Sequence, residues 1–198
     1  MCLLRLLAWR ASITHVAREG QTTRLPIVGV MGSGSSWDER RCAELGRWLA
    51  AEGVHLLTGG GDGVMGAVSR AFFEEGNRRG LVLGVLPADG AGSGDPPDGY
   101  PNPWVEIPIR THLHLSGAQG TASTSRNHIN VLSADVVVAL PGSWGTRSEV
   151  ELALRYQKPV VAYLQDRSEI PQLPRTVPVL ASLEQVQAFV RRALGRAP

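Results

Sequence analysis

Residues 135–154 constrain this chain more than any other stretch, because a buried strand, a glycine turn and a helix start follow one another directly. Asp135-Val136-Val137-Val138-Ala139-Leu140 is apolar on both sides of an extended chain, which suits a strand covered on two faces, as in parallel sheets. Pro141-Gly142-Ser143-Trp144-Gly145 comes next, and Val150-Glu151-Leu152-Ala153-Leu154 reads as a helix. Such a junction makes a place for an anion. Glycine lets backbone N–H groups approach a ligand, and a helix start adds unpaired donors and about half a unit of positive charge. The ligand expected there is a phosphorylated small molecule.

The same succession recurs along the chain. Ile27-Val28-Gly29-Val30-Met31 reads as a strand and runs into Gly32-Ser33-Gly34-Ser35-Ser36. The helix that follows carries Cys42, Leu45 and Leu49 on one face and should end at Gly53. Val54 to Leu57 leads into Thr58-Gly59-Gly60-Gly61-Asp62-Gly63, and Val64, Met65, Val68 and Phe72 mark another helix. Further extended segments are read at Leu81 to Leu86, Val105 to Leu115 (interrupted by Pro108), Pro159 to Leu164 and Val177 to Leu180. Short and closing helices are read at Ser125 to Ser133 and Ser182 to Leu194, and the Gly/Pro/Asp-rich stretch 88–103 as a loop long enough to serve as a lid.

Strands alternating with helices predict an α/β fold, a single Rossmann-like, doubly wound parallel sheet flanked by helices on both faces and spanning 25–198. Ligands of such sheets lie beyond the carboxyl ends of the strands, near the switch in strand order. The loops at 32–36, 58–63 and 141–145 should therefore converge on one crevice. The ligand-binding candidates are Gly32, Ser33, Gly34, Ser35, Gly60, Gly61, Gly63, Gly142, Ser143, Trp144, Gly145 and Thr146.

Composition narrows the class. The formal charge is +2, but residues 1–24 hold four arginines and one glutamate, leaving 16 basic and 17 acidic groups in the rest. The basic character belongs to the leader, so nucleic acid is not an expected partner of the folded part. Residues 1–24 read as a disordered leader; an arginine-rich, acid-poor segment also suits an organelle transit peptide, and that alternative stays open. Two cysteines form no disulfide framework and suit a reducing compartment, so a cytoplasmic location is expected. No apolar run approaches the roughly 18 residues of a membrane span.

Several motifs carry competing readings. Gly61-x-Gly63-x-x-Gly66 matches the dinucleotide fingerprint but follows the second strand, with no acid at the end of the next one, and reads better as a generic phosphate loop. No Gly-Lys-Ser/Thr exists, which excludes a kinase-type phosphate loop. Thr146 and Glu149 have the spacing of a capping box, which spacing alone favours over the alternative that Glu149 aims its carboxylate at a bound sugar. Arg126 could be a solvated surface group or a partner for an acid, or else a clamp on phosphate or a donor polarising a heterocycle. Trp144 could stack on a ring or cover the core edge. His112-x-His114 lacks a third ligand beyond His128, so no metal is expected. Lys158, the only lysine, sits at the wrong end of a parallel strand for Schiff-base chemistry, which excludes pyridoxal-phosphate decarboxylation.

Gly-Gly-Gly-Asp-Gly-Val-Met-Gly (59–66), Leu-Gly-Val-Leu-Pro (83–87), Arg126 and Pro141-Gly142-x-x-Gly145-Thr146-x-x-Glu149 together resemble the SLOG group of Rossmann-like proteins. That group contains the LOG phosphoribohydrolases and the molybdenum cofactor carrier proteins. Likeness to the LOG enzymes implies cleavage of a cytokinin nucleoside 5′-monophosphate into base and ribose 5-phosphate. Glu149 would then stabilise the oxocarbenium-like sugar and activate water, Arg126 would assist the leaving base, and 142–146 would hold phosphate. Ser143 and Asn127 depart from the glycine and lysine usual there. The surrounding text at 27–32, 126–133 and 158–161 looks more like the cofactor carriers, which bind a phosphorylated pterin without turning it over. The resemblance therefore implies a carrier for molybdenum cofactor or a nucleotide, with hydrolysis as the alternative, no required cofactor, Asn127 beside the ligand, and assembly as a homodimer or homotetramer.

Overall fold

The computed structural model describes residues 24–91 and 93–197. The leader expected at 1–24 therefore lies outside the described residues, apart from Arg24, whose guanidinium donates to both Asp135 carboxylate oxygens at 2.7 and 2.8 Å.

The seven strands form one sheet, all in parallel, in the order β4-β3-β2-β1-β5-β6-β7. They are β1 (Ile27–Met31), β2 (His55–Thr58), β3 (Val82–Leu86), β4 (Ile107–Arg110), β5 (Val136–Ala139), β6 (Val160–Tyr163) and β7 (Val179–Leu180). Between them run α1 (Glu39–Ala51), α2 (Val64–Phe73), α3 (Asn127–Ser133), α4 (Trp144–Arg155) and α5 (Leu183–Ala193). The doubly wound sheet read from the sequence is the fold observed.

Side-chain alternation along the strands assigns the two layers. Val136 and Val138 of β5 join Val28, Leu45, Leu49, Val68, Phe72, Val186 and Val190, so α1, α2 and α5 cover one face. Val137 and Ala139 join Met31, Val131, Val150 and Ala153, so α3 and α4 cover the other. Every residue of β5 is buried, because it lies next to the middle of the sheet with helices above and below. Pro108 lies in β4, the edge strand, which pairs with β3 alone.

Local signals set the helix ends. Asp38 caps α1 by accepting from the Arg41 N–H at 3.0 Å, and Ser182 caps α5 through the Gln185 N–H. One expected strand is shorter than read: β4 stops at Arg110, so His112 and His114 lie beyond it, exposed, rather than side by side on a strand.

Candidate functional site: the switch in strand order

Strand order reverses between β1 and β5, and the loops leaving these two strands are 32–36 and 141–143. Backbone hydrogen bonds tie the three glycine-rich loops together. Ser33 N–H donates to the Pro141 carbonyl at 3.0 Å, and Val64 N–H donates to the Ser33 carbonyl at 2.9 Å. The expected convergence is present. Close approach explains two glycines. Gly63 has φ +65° and a Cβ there would fall 2.4 Å from the Ser33 oxygen; one at Gly142 would fall 2.1 Å from Thr146 Oγ1.

A cleft of about 540 Å³ opens here, lined by Ser33, Gly34, Ser35, Ser36, Pro141, Gly142, Ser143 and Glu169. Its donors are not all available. Ser33 Oγ accepts from the Ser35 and Ser36 N–H groups at 3.2 and 3.1 Å, and Gly142 N–H donates to the Glu169 carbonyl at 3.0 Å. The start of α4 is different. Its first intrahelical bond is Arg147 N–H to the Ser143 carbonyl at 3.1 Å, and the N–H groups of Trp144, Gly145 and Thr146 meet no acceptor among the described residues. Three unpaired donors and the positive end of a helix dipole therefore lie at the switch point.

The capping-box reading of Thr146 and Glu149 is corrected. The residue before α4 is Ser143, in extended conformation at φ −100°, and Thr146 is the third residue of the helix. Glu149 instead turns into the protein, where its Oε1 accepts from Asn130 Nδ2 at 3.1 Å. Burial pushes its pKa up, opposed by the charge of Arg126 and by the Asn130 hydrogen bond.

Arg126 stands immediately before α3 and is 6% exposed, so it is no solvated surface group. Its Nη1 donates to the Val85 carbonyl at 2.9 Å, while its Nε has no partner. The guanidinium rests where a side chain at Gly59 would stand. Asn127 braces the glycine turn indirectly: its Nδ2 donates to Ser148 Oγ at 3.0 Å, which donates to the Gly145 carbonyl at 2.7 Å. Arg126, Asn127, Asn130, Ser148 and Glu149 thus form a buried polar cluster beneath the first turns of α4, with Arg126 Nε and Asn130 Oδ1 unpaired. Asn130 and Ser148 escaped the sequence reading, because neither belongs to a motif and each gains its role only when α3 packs on α4.

The remaining candidates are placed as follows. Gly32 packs against Val64, and Gly34 and Ser35 line the cleft. Gly60 and Gly61 turn toward the 97–104 segment: Asn102 N–H donates to the Gly60 carbonyl, Asn102 Nδ2 donates to the Gly61 carbonyl, and Tyr100 lies against Gly61. The stretch read as a lid is thus bonded down over the second loop. Trp144 is 45% exposed, with the Arg147 guanidinium 5.2 Å from its ring centroid. His128 is engaged on both ring nitrogens, by the Tyr156 hydroxyl and the Ala122 carbonyl. Lys158 Nζ donates to the Leu132 and Ala134 carbonyls at the start of β6, the end of the sheet opposite the cleft.

A family model described as SLOG cluster4 family matches residues 25–189. The chain belongs to the SLOG cluster4 family. An uncharacterised protein of Archaeoglobus fulgidus is 30% identical over 141 residues, covering 70% of this chain and 80% of its own length. Among solved structures, the molybdenum cofactor binding protein of the phototrophic bacterium Rippkaea orientalis is 34% identical at a TM-score of 0.68, across 87% of this chain and 99% of that one. The Moco carrier protein of Chlamydomonas reinhardtii is 33% identical at a TM-score of 0.64, again across 87% and 99%. No helix among the described residues of this SLOG cluster4 protein is long and apolar enough to cross a membrane.

Proposed function

We propose that the protein is a binding or carrier protein for a phosphorylated small molecule, molybdenum cofactor being the leading candidate and a nucleotide the next. The observation that carries this reading is the trio of open N–H groups at Trp144, Gly145 and Thr146, set at the switch point beside a cleft. A phosphate ester placed there would accept all three and complement the helix dipole. Ser33 holds its own loop by side-chain bonds, so this wall of the site is preformed. Similarity to proteins described as molybdenum cofactor binding and carrier proteins supports the same ligand class.

Native mass spectrometry of the purified protein should find a phosphorylated compound bound. Millimolar phosphate should raise the melting temperature, by about 2.7 kcal/mol of stability at a hundredfold excess over Kd. A flat response to phosphate would refute the anion site.

Hydrolysis of a nucleoside 5′-monophosphate is a second reading, favoured by the Arg126–Asn130–Glu149 cluster with its unpaired Nε and raised carboxyl pKa. A carboxyl group that burial makes harder to ionise could pass a proton to a leaving base steadied by Arg126. Release of ribose 5-phosphate from AMP or isopentenyladenosine monophosphate, abolished in Glu149→Gln, would establish this reading. Absence of release at enzyme concentrations comparable to substrate would remove it.

A further inference from the structure

A separate cleft of about 350 Å³ lies at the carboxyl end of β6, between the starts of α1 and α5. Asp38, Arg41, Tyr163, Gln165, Ser182 and Leu183 are among its lining residues, and it shares none of its lining with the cleft at the strand switch. Two of its polar side chains are buried without adequate partners, Arg41 at 8% exposure and Tyr163 at 5%. The Arg41 guanidinium lies over the Tyr163 ring, 5.4 Å from its centroid. Its one side-chain hydrogen bond runs from Nη1 to Glu169 Oε1 at 3.5 Å, the outer limit for such a bond. Nε and Nη2 have no hydrogen-bond acceptor among the described residues, and the Tyr163 hydroxyl has no partner there either. Burial pushes the Tyr163 pKa up, so that hydroxyl keeps a proton to donate.

The acids around Arg41 are committed elsewhere. Asp38 Oδ1 caps α1 by accepting from the Arg41 N–H at 3.0 Å, and Glu44 pairs with Arg40 at 2.8 Å. Glu169 Oε2 accepts from the Gln165 and Asp166 N–H groups at 2.6 and 3.3 Å. What remains is Asp38 Oδ2, 3.9 Å from Arg41 Nε and too far for a hydrogen bond. An unpaired donor edge therefore stands beside an unpaired carboxylate oxygen. The start of α5 adds two donors, because Ser182 Oγ is taken by the Gln185 N–H and the N–H groups of Leu183 and Glu184 meet no acceptor among the described residues. Charge then decides the class of ligand. Asp38, Glu44 and Glu169 outnumber Arg40 and Arg41, so a plain anion would enter a neighbourhood that is already slightly negative. A carboxylate carried next to an ammonium adds no net charge and satisfies both unpaired groups. The Nε–Nη2 edge of a guanidinium holds a carboxylate through two parallel bonds, and an ammonium donates to a free carboxylate oxygen.

We propose that this cleft binds a free α-amino acid. Its carboxylate lies on the Arg41 Nε–Nη2 edge, within reach of the Tyr163 hydroxyl and the first amides of α5, and its ammonium lies on Asp38 Oδ2. The cleft falls in the range of roughly 300–1,000 Å³ typical of small-molecule sites, which leaves room for a side chain beside Leu183 and Gln165. This site stands apart from the phosphate-binding reading of the α4 turn, and neither depends on the other.

Melting of the full chain is followed with each of the common L-amino acids in turn at millimolar concentration. At least one should raise the melting temperature, since a ligand that binds only the folded chain stabilises it. Calorimetric titration then compares the amino acid giving the largest shift with its deaminated acid, which lacks the ammonium, and its decarboxylated amine, which lacks the carboxylate. Each analogue should bind about tenfold more weakly or worse, the loss expected when a hydrogen bond to a charged group is left unmade. Asp38→Asn keeps a side chain able to cap α1, so the chain should fold; it should weaken the amino acid about tenfold and leave the deaminated acid unchanged. Tyr163→Phe keeps the ring beneath Arg41, and Arg41→Lys keeps the charge without the two-donor edge. Both should weaken the amino acid and the deaminated acid together and leave the amine unchanged. The proposal is overturned if no amino acid raises the melting temperature, if either analogue binds as tightly as the amino acid, or if all three variants bind it like the unaltered protein.

Discussion

The placement of Arg126 can be tested through the residue it presses on. A Cβ built on Gly59 would sit 2.3 Å from Nη1, 2.6 Å from Nη2 and 2.8 Å from Cζ of Arg126. Gly59→Ala must therefore evict the guanidinium. An arginine head can swing, so the clash itself is not the cost. The cost is the 2.9 Å bond to the buried Val85 carbonyl, which the displaced head no longer makes, and the loss of the cation beside Glu149. A buried hydrogen bond to a charged group is worth about 1.5–3 kcal/mol. In a domain of this size that lowers Tm by roughly 3–12 °C. In the Arg126→Ala background the space is empty, and the same Gly59→Ala change should cost less than about 0.5 kcal/mol, or stabilise slightly by restricting the unfolded chain. Urea unfolding of the four proteins in this cycle gives the coupling energy directly. Equal penalties in the two backgrounds would refute the packing of Arg126 on Gly59.

Other outcomes follow from single groups. Burial pushes the Cys42 thiol up to about 12, so in a Cys2→Ser protein an aromatic disulfide reagent at pH 8 should label no thiol until denaturant is added; prompt labelling would contradict the packing of α1. Hydrogen bonding from Arg24 holds the Asp135 pKa down, against desolvation and with help from the Ile27 N–H. That stability is present above the unfolded carboxylate pKa of about 3.9 and is lost as pH falls through the lower folded value, so Arg24→Ala should shift acid unfolding to higher pH. Glu149 has the opposite sign, because desolvation raises its pKa: its contribution is fully present below the unfolded value of about 4.3 and fades as pH rises through the folded one. The Tm of Glu149→Gln should therefore gain on that of the unaltered protein between pH 4 and 7, and a gap that stays constant would show that Glu149 does not titrate there.

Much of the architecture was legible because each element carries its own signal. Four consecutive buried residues in β5 announce a two-sided strand, Gly53 with φ +67° closes α1, and Lys158 lies at the strand start that its position before Pro159 indicates. The errors occur where two local signals compete. Ser143 and Thr146 are both good caps, and the weak helix former Gly145 argues for the later one; the chain begins α4 at Trp144 instead, which leaves Thr146 inside the first turn and Glu149 bonded to Asn130 rather than to a cap. At 105–115 the β-rich text continues through Leu115, but the parallel partner β3 ends at Leu86, opposite Arg110, so pairing stops there whatever the propensity.

The binding surface divides in the same way. Glycine turns and helix starts are local, so the anion end of the site is written in consecutive residues. By contrast, the contact between α1 and α2 joins Glu39 to Arg70 across 31 positions and takes in Trp104 from the end of a loop with no periodicity. Nothing in the neighbourhood of any one of these residues marks it; a tryptophan at 37 or 104 reads as an ordinary apolar group until α1 and α2 are packed side by side. That asymmetry has a physical consequence for ligand choice. The backbone amides of α4 would bind any phosphate ester, so discrimination among phosphorylated compounds must come from side chains that meet the rest of the ligand. Changes at Gly142 or Gly145 should therefore weaken the binding of every phosphorylated compound alike, and a loss confined to one compound would contradict that reasoning.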